Sequence, residues 1–121
     1  MNKIIYVNIE FPNQPKESDY GNKEYKLELV DINKDKIDRL ITQFRFRLFE
    51  GSGLAWHYIG FSDYGIPIGL NKYKYTKTLN NILKVINYLE LKVLKFIIRK
   101  GIKGYCFILK LKTINKIDLI Y

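Results

Sequence analysis

Apolar and polar positions change their period several times along this chain. From Lys23 to Leu29 they alternate, the mark of a half-buried strand. After Asn33, a suitable helix cap, Ile37, Leu40, Ile41, Phe44 and Leu48 form one apolar stripe at helical spacing, which Gly51 stops. A second strand fits Leu54 to Phe61, and Ser62-Asp63-Tyr64-Gly65 turns the chain into a short strand from Ile66 to Leu70. Thr76 or Thr78 opens a second helix whose stripe is Leu79, Ile82, Leu83, Ile86 and Leu89. Strands then fit Lys92–Arg99 and Tyr105–Lys112, joined through Lys100-Gly101-Ile102-Lys103-Gly104. The order predicts an α+β fold, a ferredoxin-like two-layer sandwich (βαββαβ) with an added C-terminal strand and both helices on one sheet face. Residues 1–22 carry turn chemistry around Pro12 and Pro15 and read as an N-terminal extended arm, with Ile4, Tyr6 and Ile9 available for an edge strand. Residues 23–121 read as one domain.

The 121 residues are 47% hydrophobic and 27% charged, which suits a single globular core. The longest run without a charged side chain, Gly51 to Ser62, falls short of the roughly 18 apolar residues of a membrane span. The N-terminus lacks the features of a secretory leader, and Cys106 is the only cysteine, so a cytoplasmic monomer is expected. Charge divides the chain. The net charge is −1 over Met1–Leu70 (9 Lys+Arg, 10 Asp+Glu) and +10 over Asn71–Tyr121 (12 Lys+Arg against Glu90 and Asp118). Compositional drift towards lysine would act everywhere and leaves the loss of acids after Leu70 unexplained. A polyanion, most simply nucleic acid, is the implied partner.

Catalytic signatures are missing. No phosphate-binding loop occurs, and Gly51-Ser52-Gly53 follows a helix instead of opening one, so no nucleotide is expected. One His and one Cys cannot build a zinc site, so no metal or other cofactor is expected. His57 and Cys106 sit in apolar strands without a nucleophile–base arrangement and read as structural residues. The expectation is a binding domain and not an enzyme.

Candidate contact residues fall in three groups. On the first helix Phe46 points away from the apolar stripe, beside Arg39, Thr42 and Gln43, with Arg45 and Arg47 adding charge. Lys72-Tyr73-Lys74-Tyr75 interleaves cations with aromatics ahead of the second helix, as single-stranded RNA contact requires; Tyr88, Lys77, Asn81 and Lys84 continue on that helix. Arg99, Lys100 and Lys103 add cations at the final turn. Lys103 to Lys110 resembles the octamer of RNA-recognition motifs, but it departs at Cys106 and Lys110 and follows the second helix instead of preceding it.

From Gly21 to Leu70 the chain resembles the domain preceding the GTPase core in the GTP-binding protein one and two family of translational GTPases. The residues carrying the likeness are Gly21-Asn22, Glu24-Tyr25-Lys26-Leu27, Leu29-Val30, Thr42-Gln43, Arg47-Leu48, Glu50-Gly51, Gly53, Ala55, Tyr58-Ile59-Gly60, Asp63, Gly65 and Gly69-Leu70. The family's nucleotide-binding core has no counterpart here, so the resemblance implies no GTPase activity. A lone domain of this kind is similar to the dormancy factors of microsporidia, which implies a ribosome-hibernation role. It would bind rRNA and ribosomal proteins near the tRNA exit site and block translation by occupancy, with Glu50, Gly51, Ser52 and Gly53 as contacts. The alternative is a protein-interaction adaptor derived from such a GTPase, with no direct RNA contact.

Overall fold

The computed structural model describes residues 4–114. In chain order the elements are β1 (Ile4–Glu10), β2 (Lys23–Lys26), α1 (Lys34–Glu50), β3 (Leu54–Ile59), α2 (Lys72–Tyr88), β4 (Leu91–Lys100) and β5 (Tyr105–Thr113). The architecture is the expected α+β, ferredoxin-like two-layer sandwich with an extra strand. The five-stranded sheet has the order β1-β4-β5-β3-β2. β1 runs parallel to β4 and β2 parallel to β3, while β5 is antiparallel to both its neighbours.

One expected strand is missing. Ile66–Leu70 does not extend into a strand; only the bridges Phe61↔Pro67 and Leu70↔Tyr105 remain. Pro67 has no N–H to donate to a ladder, and Gly69 sits at φ 92°, so the segment bends instead. β2 and β3 are then direct parallel neighbours joined through α1. The segment 1–22 also supplies an ordered element, β1, as the edge strand beside β4.

Both helices cover one sheet face. Leu40, Phe44 and Leu48 of α1 and Ile82, Val85 and Ile86 of α2 are buried in one cluster with Ala55, Ile59, Val93, Phe96, Phe107, Leu109 and Leu111 of the strands. Strand alternation sends the intervening residues to the other face, where Phe11 closes over Tyr25, Tyr58, Phe61, Cys106 and Ile108. The chain after β1 lies along this second cluster, held by Gln14 N donating to Gly65 O (2.8 Å), Glu17 N to Asp63 O (2.7 Å) and Tyr25 Oη to Pro15 O (2.8 Å). Phe107 belongs to the helix-side core and is fully buried, so the octamer of Lys103–Lys110 offers no stacking platform there.

α2 begins four to six residues earlier than Thr76 or Thr78 would place it. Asn71 Oδ1 accepts from Lys74 N at 2.9 Å and caps it, which makes Lys72-Tyr73-Lys74-Tyr75 the first helical turn and not a loop. Thr78 is instead buried, its Oγ1 accepting from Leu29 N at 3.0 Å. Asn81 also turns inward, its Nδ2 donating to Leu29 O at 2.6 Å, so it leaves the exposed group to which the sequence assigned it.

Candidate nucleic-acid interface

The topology separates the expected contact residues. α1 follows the end of β2 and precedes the start of β3, and α2 runs the same way, so both helices begin at the Tyr105 end of the sheet. The Gly51–Gly53 turn sits at the opposite end, where Thr113 N donates to Gly53 O at 3.0 Å. A helix of 17 residues is about 25 Å long. The turn and the Lys72–Tyr75 group therefore do not form one surface.

At the Gly53 end, most of the expected residues are engaged internally. Arg47 is 4% exposed; its Nε donates to Glu24 Oε1 (3.2 Å), one terminal nitrogen to Gly21 O (3.0 Å) and the other to Ser18 O (2.8 Å). Glu17 lies 3.7 Å from the same guanidinium. Burial, then a hydrogen bond with Glu24, pushes the Glu17 carboxyl up to about 7, so near neutrality Glu17 is partly protonated beside the Arg47 cation. Glu50 Oε1 accepts from Gly21 N at 3.2 Å. Gly51 N donates to Arg47 O, and a Cβ on Gly51 would collide with Leu54 O and the Asn22 side chain. Gly21, Asn22, Glu24, Arg47, Glu50, Gly51 and Gly53 thus form one connected framework that locks the start of β2 to the end of α1. Arg47, assigned to the surface by its place beside Phe46, belongs to the interior; helical rotation turns it towards β2. Ser52 remains exposed at the tip, at φ 53°. On the flank of α1, Arg39 is exposed, while Gln43, Arg45 and Phe46 are half-buried, with the Arg47 guanidinium carbon 5.4 Å from the Phe46 ring centroid.

The other cations gather along α2. Tyr73, Lys77, Lys84 and Tyr88 fall on one exposed stripe, with Lys77 Nζ 5.8 Å from the Tyr73 centroid. Lys77, Asn80, Lys84 and Asn87 face Asp31 and Lys36 across an open groove of about 850 Å³. Lys72 borders a smaller apolar hollow of about 350 Å³ with Leu70, Tyr75, Ile98 and Tyr105. Lys74 is paired with Glu28 at 3.2 Å, and Tyr75 packs edge-on to Phe107 with centroids 5.2 Å apart, so the interleaved quartet is split between surface and core. Lys100 and Lys103 are exposed beyond the β4–β5 turn, whereas Arg99 lies over Phe11 at 5.1 Å with its Nε buried and unpartnered.

His57 is fully buried and stacked on Phe44 at 3.9 Å, with neither ring nitrogen hydrogen-bonded; burial, then the Arg47 and Lys26 charges, lowers it to about 3. It stays neutral. Burial pushes the Cys106 thiol up to about 12, which leaves it inert. Among the described residues no three His, Cys, Asp or Glu side chains are grouped to hold a metal, and no helix is long and apolar enough to cross a membrane.

Trp56, Lys92, Lys95 and Lys112 belong to no local motif and are absent from the three expected contact groups; the one signal for them in the sequence is the alternation in β3 that puts Trp56 on the face opposite Ala55 and His57.

Among known proteins, a stretch of 59 residues is 44% identical to GTP-binding protein 2 of Mus musculus and, to the same degree, of Homo sapiens. It covers 49% of this chain and 10% of either relative. No family model and no solved structure matches the chain. About half of this chain is therefore similar to a small part of a GTP-binding protein.

Proposed function

We propose that this chain is a non-catalytic, cytoplasmic domain that binds the ribosome through rRNA and ribosomal protein. In this reading it occupies the tRNA exit-site region of idle ribosomes and blocks translation by occupancy. The observation that carries the reading is the one-sided charge. The exposed side of α2 presents Lys72, Lys77 and Lys84 with no acidic residue between Asn71 and Leu89, on a chain half of which is similar to GTP-binding protein 2. Lysines spaced along a groove neutralise consecutive phosphates, and the aromatics Tyr73 and Tyr88 lie on the same stripe for unpaired bases.

Co-sedimentation with ribosomes over a salt series, with deacylated tRNA as competitor, tests this. Saturable one-to-one binding displaced by tRNA is expected. Changing Lys72, Lys77 and Lys84 together to Glu should lower the slope of log affinity against log salt by about 0.7–0.9 per cation. Unchanged ribosome affinity in that variant would refute the α2 assignment.

The apolar hollow formed by Leu70, Tyr75, Ile98 and Tyr105 favours a second reading, a protein-interaction adaptor. That reading predicts weak salt dependence and a partner that survives nuclease.

A further inference from the structure

Among the described residues, the cluster closed by Phe11 on the sheet face away from the helices lies towards the Tyr105 end, and Lys23, Lys92, Lys95 and Lys112 on that face are exposed. Towards the Gly53 end it carries a different set of side chains. Strand register places Lys23, Trp56, Lys110 and Lys95 side by side in one row across β2, β3, β5 and β4. A second row, two residues along, holds Leu54, Lys112 and Lys92. Residues paired in register on neighbouring strands share a face. Trp56 packs with one side against the cluster under Phe11, and Lys110 and Lys95 place their ammonium groups 5.2 and 5.9 Å from its ring centroid. No Asp or Glu occupies either row.

This arrangement works against the fold. Lys110 lies directly opposite Lys95, and Lys112 directly opposite Lys92, on strands in the middle of the sheet. Like charges directly opposite one another destabilise a sheet, and the usual reason for surface lysines on strands, protecting an edge, does not apply to β5. A polyanion laid across the rows would relieve both repulsions at once. The half-buried indole at the centre gives that polyanion a second requirement, a flat π-face able to displace an ammonium from the ring. Phosphates with unpaired bases meet both conditions; duplexes and acidic peptides meet only the first.

We infer that this open sheet face, centred on Trp56 with Lys95 and Lys110 over its ring and Lys23, Lys92 and Lys112 around it, binds single-stranded RNA by stacking a base on the indole. The preference for RNA over DNA rests on the ribosome reading; the site itself is separate from the α2 stripe.

Trp56 is the chain's only tryptophan, so its fluorescence reports the site directly. Titration with a 12-residue oligouridylate at low salt should quench the emission saturably. In parallel, anisotropy of a labelled oligomer follows the variants. Lys110→Glu with Lys112→Glu should raise the melting temperature, because each relieves a like-charge pair, and should lower the salt slope by about 1.4. Trp56→Phe should keep most of the affinity and Trp56→Leu should lose roughly 5- to 150-fold. Absence of quenching, unchanged affinity in the double Lys variant, equal binding of a self-complementary duplex, or a preference for the deoxy oligomer would each overturn the inference. Ribosome binding by a chain that ignores the oligomer would sink this site while sparing the ribosome reading. Quenching by the oligomer without ribosome binding would do the reverse.

Discussion

His57 gives the fold a liability that can be measured. The ring is completely enclosed between Phe44 and the sheet, and both nitrogens lack a hydrogen-bond partner. Replacing it with Leu removes two buried polar atoms and keeps a side chain of similar bulk. Each unsatisfied buried group costs about 1–3 kcal/mol, so His57→Leu should be the more stable protein even at pH 8, less whatever the ring stacking contributed. The pH dependence is the sharper test. Unfolding returns His57 from about 3 to 6.5, so between those values the unfolded chain binds a proton that the folded chain refuses. Stability owed to a neutral His57 is therefore complete above pH 6.5 and falls as pH drops through this window, whereas Leu does not titrate. At pH 5, one and a half pH units below 6.5, the difference amounts to about 2 kcal/mol. Glu17 has the opposite sign: its folded value of about 7 lies above 4.5, so its protonation favours the fold as pH falls through that range. Glu17 is common to both proteins and cancels in their difference. Urea denaturation followed by circular dichroism at pH 8, 6.5 and 5 should show the advantage of the Leu variant widening by about 2 kcal/mol. A constant gap would refute the argument from burial, and a Leu variant less stable throughout would show that His57 has a partner.

Arg47→Met should cost about 3–5 kcal/mol by leaving the buried Glu24 and the half-buried Glu17 without their cation, read as a lowered urea midpoint. Adding Glu24→Gln and Glu17→Gln to that variant should recover part of the loss; no recovery would remove the ion-pair explanation. Gly51→Ala drives a methyl group into Leu54 O and Asn22, so thermal melting should show destabilisation well beyond the ~1 kcal/mol that Ala normally gains over Gly in a helix. Equal stability would show that the α1–β3 turn yields easily. Asn71→Ala removes the cap of α2 and should cost about 1 kcal/mol, with faster amide exchange confined to Lys72–Tyr75 if that quartet is a helical turn.

Periodicity alone determined the two helices, their apolar faces and the strands β3, β4 and β5. These rest on local rules, 3.6-residue and two-residue spacing, that need no partner to read. The stripe Leu40–Phe44–Leu48 and the charge asymmetry about Leu70 were legible for the same reason. What the chain could not reveal was decided by pairing at a distance. Arg47 looked like a surface cation because its partners, Glu24, Gly21 and Ser18, lie 23 to 29 residues away. Asn81 looked like polar surface and Thr78 like a helix start because the backbone they satisfy, around Leu29, lies about 50 residues back. The lysine–tryptophan rows are the clearest case. Trp56, Lys95 and Lys110 share no segment and no motif, and only strand register brings them onto one face, because side-chain neighbours across a sheet are set by hydrogen-bond pairing and not by sequence order.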